Sequence, residues 1–225
     1  MRLVKFVEFG RKIVGVGMNY PSHVKEMSAK GLAAGINNPD PVLFLKPTSA
    51  FVTEGEPIRI PEGCKELHHE VELGVIIGRK GSDISVSEAM DFVGGYTIVL
   101  DMTARDWQNQ AKKEGRPWSI SKGFDTSCPV GSLIPKEKVE DPHDLRIFCQ
   151  VNGETRQKGN TRDMMHKIPQ LVSYISKYFT LEPGDLIMTG TPEGVSPVKA
   201  GDKIKAGLGE DLVTINFEVV AKQTK

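Results

Sequence analysis

The eight residues LHHEVELG, 67–74, constrain this chain more than any other stretch. In extended backbone Glu70 and Glu72 share one face, Val71, Leu73 and Val75 share the other, and VIIG continues as a buried strand. Two carboxylates on one face of an apolar strand repel each other, and burying them is costly. A divalent cation between them removes both problems, and a hard ion such as Mg²⁺ or Mn²⁺ prefers oxygen ligands. The alternative is an edge strand with a solvated face, where paired glutamates need no partner. His68 and His69, just before the pair, give the first impression of a histidine-rich, zinc-like site.

Other segments offer partners for this pair. GGYTIVLD, 94–101, is an apolar strand ending in Asp101, either a third carboxylate ligand or simply the start of the next helix. That helix spans roughly 103–114 and is closed by Gly115, with Arg105 and Gln108 on one face of its first turns. Pro21 and Ser22 open a short helix, SHVKEM, with Ser22 as cap and His23 and Glu26 three residues apart. Such a pair is either a base with its orienting carboxylate or an ordinary surface pair. Residues 28–41 are rich in Gly, Ala and Asn and read as a loop, so that about 21–40 forms a lid over a site.

PVLFLKP, 41–47, reads as a strand ending at Lys46, and Ser85 or Ser87 caps a short helix through Met90. Lys122 falls in an irregular stretch, 116–131, where Ser119 and Lys122 make an SxxK that lacks the companion motifs of penicillin-binding enzymes. Asn152-Gly153 marks a hairpin within 145–157. Ile168, Leu171, Val172, Ile175 and Tyr178 recur at helical spacing and read as core, with Pro169 in the first turn. TGTPEG, after the strand that follows Pro183-Gly184, offers backbone N–H groups and the Thr189 and Thr191 hydroxyls to an anion. GVGMNY, 15–20, begins like a dinucleotide fingerprint, but Tyr20 stands where the third glycine belongs. Many short strands, few helices and no repeat or linker across 225 residues point to one β-rich α+β domain spanning 1–225.

The balance of 29 basic and 29 acidic residues gives no footprint for nucleic acid or a membrane surface, and no apolar run is long enough to span a bilayer. Three scattered cysteines, Cys64, Cys128 and Cys149, without a CxxC pair suit neither a zinc cluster nor a disulfide framework, and imply a reduced, intracellular setting. The N-terminal MRLVKFVEFGRK is a poor secretory signal and an incomplete mitochondrial presequence, which leaves mitochondrial matrix and cytosol both open.

VGxNYxxHxxEM, LFLKP, LHHEVELGV, GGYxxxLDMTARDxQ, PWxxxKxFDxSCP, VNGExRQ and TLxPGDLIxTGTPxGV occur in one chain in that order. This series resembles the fumarylacetoacetate hydrolase family, and within it the small acylpyruvases that also decarboxylate oxaloacetate. The resemblance runs from about residue 11 to the end. It implies a fold of packed mixed sheets with a few short helices, a homodimer, and bound Mg²⁺ or Mn²⁺. By motif it makes Glu70, Glu72 and Asp101 the metal ligands, and His23 and Glu26 the base dyad on the lid. Lys122 becomes the active-site lysine, and Arg105, Gln108 and Thr191 the groups around the substrate carboxylate. His68 and His69 drop to supporting roles.

The activity implied is C–C hydrolysis of acylpyruvates, such as acetylpyruvate to acetate and pyruvate, together with decarboxylation of oxaloacetate through a metal-bound pyruvate enolate. Keto–enol interconversion of oxaloacetate uses less of the same site, and a non-catalytic metal and dicarboxylate binder would need none of His23, Glu26 or Lys122. Met18 departs from the family pattern, since arginine is frequent there, and this bears on specificity.

Overall fold

A computed structural model describes residues 2–29 and 40–221. Its centre is a six-stranded mixed sheet in the order Ile134–Pro135, Val93–Leu100, Val71–Ile77, Leu186–Met188, Ile13–Gly17 and Val42–Lys46. Ile13–Gly17 runs parallel to Leu186–Met188, while the other pairings in this sheet are antiparallel. A second, five-stranded sheet is built from Glu154–Asn160, Arg146–Val151, Lys203–Leu208, Val213–Ala221 and Ile58–Ile60. The fold is thus β-rich α+β, with a few short helices, as expected.

The six-stranded sheet is buried on both faces. Val14, Val16, Leu73, Val75, Ile98 and Leu100 belong to one core, shared with Ile147, Cys149, Ile204, Ile215 and Phe217 of the second sheet. Ile13, Ile76, Val99, Leu186 and Met188 project to the other side into a smaller core with Phe6. Continuous apolar strands such as VELGVII and VGGYTIVL follow from this double burial. Cys64, Cys128 and Cys149 are all free thiols.

LHHEVELG is not one strand. Leu67–His69 pairs with Ser196–Val198 and Thr103–Ala104 in a separate small sheet, and Val71–Ile77 enters the central sheet. The chain breaks at Glu70, whose carbonyl accepts the Asp101 N–H at 2.8 Å. Register then does what alternation alone was expected to do. Val71 lies opposite Leu100 and Glu72 opposite Val99, so Glu70 and Asp101 meet at the same end of two paired strands, and Glu72 joins them from the Val99 face.

Several smaller expectations shift. The helix at Pro21–Ala29 begins two residues earlier than a Ser22 cap requires, so Ser22 lies inside it. The lid expectation is described only as far as Ala29; residues 30–39 lie outside the described residues. After Asp101 the chain makes a two-residue strand, and the helix occupies Arg105–Glu114, stopped by Gly115 at φ 64. Residues 85–90 form a turn and then the 3₁₀ segment Ala89–Phe92, with the Ser85 hydroxyl spent on Glu88. The 116–131 stretch is less irregular than expected, because Ser119–Gly123 makes one helical turn. Asn152 and Gly153, at φ 52 and 83, form the expected hairpin turn. Ile168–Ser176 is the expected helix with Pro169 in its first turn, but Tyr178 lies beyond its end, is 63 % exposed, and packs edge-on against Tyr174.

The first glycine of GVG has a packing reason. A Cβ on Gly15 would lie 2.2 Å from the Phe44 ring, which crosses the strand there. Phe44 in turn lies 6.2 Å from Trp118, ring centre to ring centre, and forms a wall of the site described next.

Candidate active site

Glu70, Glu72 and Asp101 are buried and each offers an oxygen within 4.8 Å of the others. Three cations reach two of them. Arg105 pairs with Glu70 Oε1, and Lys122 Nζ lies 2.9 Å from Glu70 Oε2, on Asp101 Oδ2, and 2.7 Å from Thr103 Oγ1. Lys46 Nζ lies 2.9 Å from Asp101 Oδ1 and donates to the Met102 and Lys122 carbonyls. Glu72 is held differently, accepting the Gly190 N–H at 2.6 Å.

This asymmetry sets the charge states. Burial raises the Glu70 carboxyl, but Lys122 and Arg105 outweigh burial and hold it well below the usual carboxylate range. Burial, then Asp101 and Glu70, push Glu72 well above that range. For Lys122, burial works against the charge, yet Asp101 and Glu70 more than offset it, so the ammonium persists. Three convergent buried carboxyls, one of them raised by burial and by its two acidic neighbours, fit a divalent ion bound by oxygen alone.

Neither His68 nor His69 joins this group. His68 turns to Glu66 at 2.8 Å. His69 lies between Gln157 Oε1 at 2.9 Å and Ser196 Oγ at 3.0 Å, and burial lowers it to about 4, so it is neutral. Its partner Gln157 also accepts the Val71 N–H and donates to Thr191 Oγ1 at 2.8 Å and to the Pro192 carbonyl. The zinc-like impression therefore gives way to a supporting amide network.

The TGTP loop serves the protein before any ligand. Thr189 Oγ1 donates to the Leu73 carbonyl, Thr191 Oγ1 to the Val71 carbonyl, and the Gly190 N–H to Glu72. Gly190 has φ 96, and a Cβ there would lie 2.7 Å from that of Asn19. Asn19 staples the loop by donating to the Thr189 carbonyl at 2.8 Å and accepting the His166 N–H at 2.7 Å.

A cavity of about 480 Å³ opens onto these groups. His23, Arg105, Gln108, Lys122 and Thr191 all line it, beside Glu70 and Glu72. Gln108 Oε1 accepts from Arg105 at 2.6 Å, which fixes the pair side by side. His23 is buried with Nδ1 3.3 Å from Glu26 Oε2. With Glu26 accepting at Nδ1, Nε2 is the ring nitrogen that can take a proton. Met18, in the left-handed region at φ 60, lines the apolar side of the cavity with Met27 and Phe44.

The sequence pattern of the fumarylacetoacetate (FAA) hydrolase C-terminal family matches residues 12–220. The chain belongs to the fumarylacetoacetate hydrolase family. It is 52 % identical over 217 residues to the mitochondrial oxaloacetate tautomerase of Mus musculus, covering 96 % of this chain and 95 % of that one. It is 48 % identical over 220 residues to the mitochondrial oxaloacetate decarboxylase of Dictyostelium discoideum, covering 97 % and 98 %. Among solved structures it is similar to a fumarylpyruvate hydrolase from Pseudomonas aeruginosa in complex with Mn²⁺ and pyruvate. That match has a TM-score of 0.87 and 37 % identity, and covers 95 % of this chain and 91 % of the other.

Within this member of the family, sequence reasoning passed over Lys46, Asn19 and Gln157. Lys46 had a signal, a lysine ending the apolar run VLFL, where a strand-end ammonium must find a buried counter-charge. Asn19 and Gln157 act through backbone groups distant in the chain, and no local pattern marks them.

Proposed function

We propose that this chain is a divalent-metal-dependent enzyme that transfers a proton at C3 of oxaloacetate, interconverting its keto and enol forms. The observation that carries the proposal is that His23, paired with Glu26, lines the same cavity as Glu70 and Glu72 of the carboxylate triad. The tautomerase relatives at about half identity support this choice among the reactions open to the site. A purely binding role would leave the dyad without a use.

Glu70, Glu72 and Asp101 would hold Mg²⁺ or Mn²⁺, which supplies Lewis-acid polarisation of a 2-oxo acid when bound. Arg105 and Gln108, locked to each other, face the substrate carboxylate from one helix, and Thr191 faces it from the TGTP loop. His23 takes the C3 proton at Nε2 and the C2 oxygen is protonated to give the enol, the reverse transfers giving the keto form, while Glu26 keeps the imidazole in the tautomer that can do so. The Lys122 ammonium balances negative charge as it develops on the substrate oxygens. Phe44, Met18 and Met27 shield the reacting atoms from water.

Loss of CO₂ from oxaloacetate would instead leave the enolate of pyruvate, which the same residues can stabilise, and the decarboxylase relative supports that branch. The likeness to a fumarylpyruvate hydrolase supports a second reading, in which His23 activates water against the C4 carbonyl of an acylpyruvate. The mitochondrial names of the relatives support a mitochondrial site of action. A single catalytic domain over 1–225, a homodimeric assembly and a small 2-oxo acid as the sole partner complete the proposal.

The test measures three rates in one preparation with Mg²⁺ or Mn²⁺: ketonisation of enol-oxaloacetate, pyruvate release from oxaloacetate, and acetate release from acetylpyruvate. Ketonisation should be fastest, and a chelator should abolish all three. Ketonisation no faster than in buffer with the same metal would refute the proposal.

A further inference from the structure

We infer that Lys46 is a positioning residue for Lys122: its buried side chain fixes the short helical turn that carries the active-site lysine against the carboxylate that the two lysines share. The inference rests on the reading above, in which the Lys122 ammonium meets the charge that develops on the substrate. Lys46 is 1 % exposed and is not part of the cavity lining, so it acts from behind the site. Its Nζ lies 2.9 Å from Asp101 Oδ1 and donates to the Met102 carbonyl at 3.2 Å and to the Lys122 carbonyl. A group with three N–H donors is thus surrounded by one carboxylate and two carbonyl oxygens.

Lys122 grips the same carboxylate by its other oxygen, Asp101 Oδ2. Lys46 therefore holds Lys122 at both ends, at the backbone carbonyl directly and at the ammonium through Asp101. The turn needs this support, because Ser119–Gly123 has five residues, too few for a helix to stand alone. Inside it the Lys122 N–H donates to the Trp118 carbonyl at 2.9 Å, and Ser127 Oγ joins Lys46 in donating to the Lys122 carbonyl, also at 2.9 Å. Alternation along the edge strand Val42–Lys46 puts Phe44 and Lys46 on one side and leaves Leu45 exposed on the other. The Phe44 ring centre lies 4.7 Å from Lys122 Nζ. Pro47, next in the chain, comes so close to the turn that a Cβ on Gly123 would lie 2.9 Å from its Cδ. One strand end thus touches the ammonium, the carbonyl and the following residue of Lys122. Without Lys46, Asp101 would draw the Lys122 ammonium toward itself and away from the substrate oxygens.

The test is a double-mutant cycle on the full-length protein at saturating Mn²⁺, with wild type, Lys46→Met, Lys122→Met and the double variant compared in oxaloacetate ketonisation. Lys46→Met should lower kcat by about 10- to 100-fold with KM little changed, the usual scale for losing a group that orients an active-site residue. In the Lys122→Met background the same substitution should cost little more, because residues that act as a unit are not additive. Hydrogen exchange on the metal-stripped protein supplies a readout apart from activity. In Lys46→Met the Ser119–Gly123 amides should exchange faster, while those of Val71–Ile77 should not. Lys46→Gln, which keeps two N–H donors without the charge, should fall between wild type and Lys46→Met, and it takes the place of Lys46→Met in the cycle should that variant not fold. A full further loss in the double variant, a loss carried by KM alone, or unchanged exchange in the turn would overturn the inference. If Lys122→Met turned over at the wild-type rate, the proposed role of Lys122 would fail, and exchange in the turn would still decide whether Lys46 holds it.

Discussion

Replacing Glu72 by glutamine should abolish metal binding and lower turnover by about a thousandfold or more, the scale of several kcal/mol of Lewis-acid stabilisation. It should leave the chelator-stripped protein folded and no less stable. Without an ion, burial and then Asp101 and Glu70 raise the Glu72 carboxyl and favour its protonated form, which accepts the Gly190 N–H. Glutamine keeps that shape, that acceptor and that charge. Burying an ionised carboxylate at this position is what costs stability.

The sign of the pH dependence follows. The folded value of Glu72 lies above the unfolded one, so its contribution is complete below the unfolded value of about 4.3 and declines as pH rises through the folded value. In stripped protein, Glu72→Gln should therefore gain on wild type in urea midpoint as pH rises. In wild type, saturating Mn²⁺ should raise the midpoint, and in the variant it should not. A variant that still bound Mn²⁺ at wild-type strength would remove Glu72 from the ligand set.

His23→Ala should reduce oxaloacetate ketonisation by roughly 10²- to 10⁴-fold, the usual span for loss of a positioned base. Metal affinity should change little, because His23 belongs to the Pro21–Ala29 helix, whereas Glu72 lies in Val71–Ile77 and Glu70 and Asp101 adjoin the ends of that strand and of Val93–Leu100. Decarboxylation should suffer less than ketonisation or acylpyruvate hydrolysis, since loss of CO₂ removes no proton from C3 and needs no attacking water. Glu26→Gln should fall between wild type and His23→Ala, because it leaves the imidazole present and weakens its orientation. Equal losses in all three reactions would make His23 a binding residue instead.

How much of this was legible in the chain differs by element. The carboxylate pair was readable because strand alternation is local, and Val71, Leu73 and Val75 share the face opposite Glu72. Its continuity across Glu70 was misread, because the break there is imposed by two sheets that take up the strand from either side. The Asn152-Gly153 hairpin and the Gly115 helix stop were readable because each needs a positive φ that the sequence provides directly.

Tyr178 was misplaced because helical spacing continued past the point where the helix ends, at Ser176. The TGTP loop was read as offering N–H groups and the Thr189 and Thr191 hydroxyls to an anion, but the Gly190 N–H goes to the protein's own Glu72 and both hydroxyls go to backbone carbonyls. Lys46 and Gln157 escaped because their partners lie dozens of residues away, at Asp101 for one and at Val71 and Thr191 for the other. Such pairings depend on strand order, which single-segment patterns do not carry.

One titration decides whether the Glu70, Glu72 and Asp101 oxygens hold the ion on which every activity depends. Chelator-stripped protein is titrated with Mn²⁺, free ion is followed by electron paramagnetic resonance, and oxaloacetate ketonisation is measured in the same samples. One tight ion per chain, with activity rising in proportion to occupancy and neither seen in Glu72→Gln, is the predicted result. Full activity in the stripped protein, or tight binding that persists in Glu72→Gln, would contradict it.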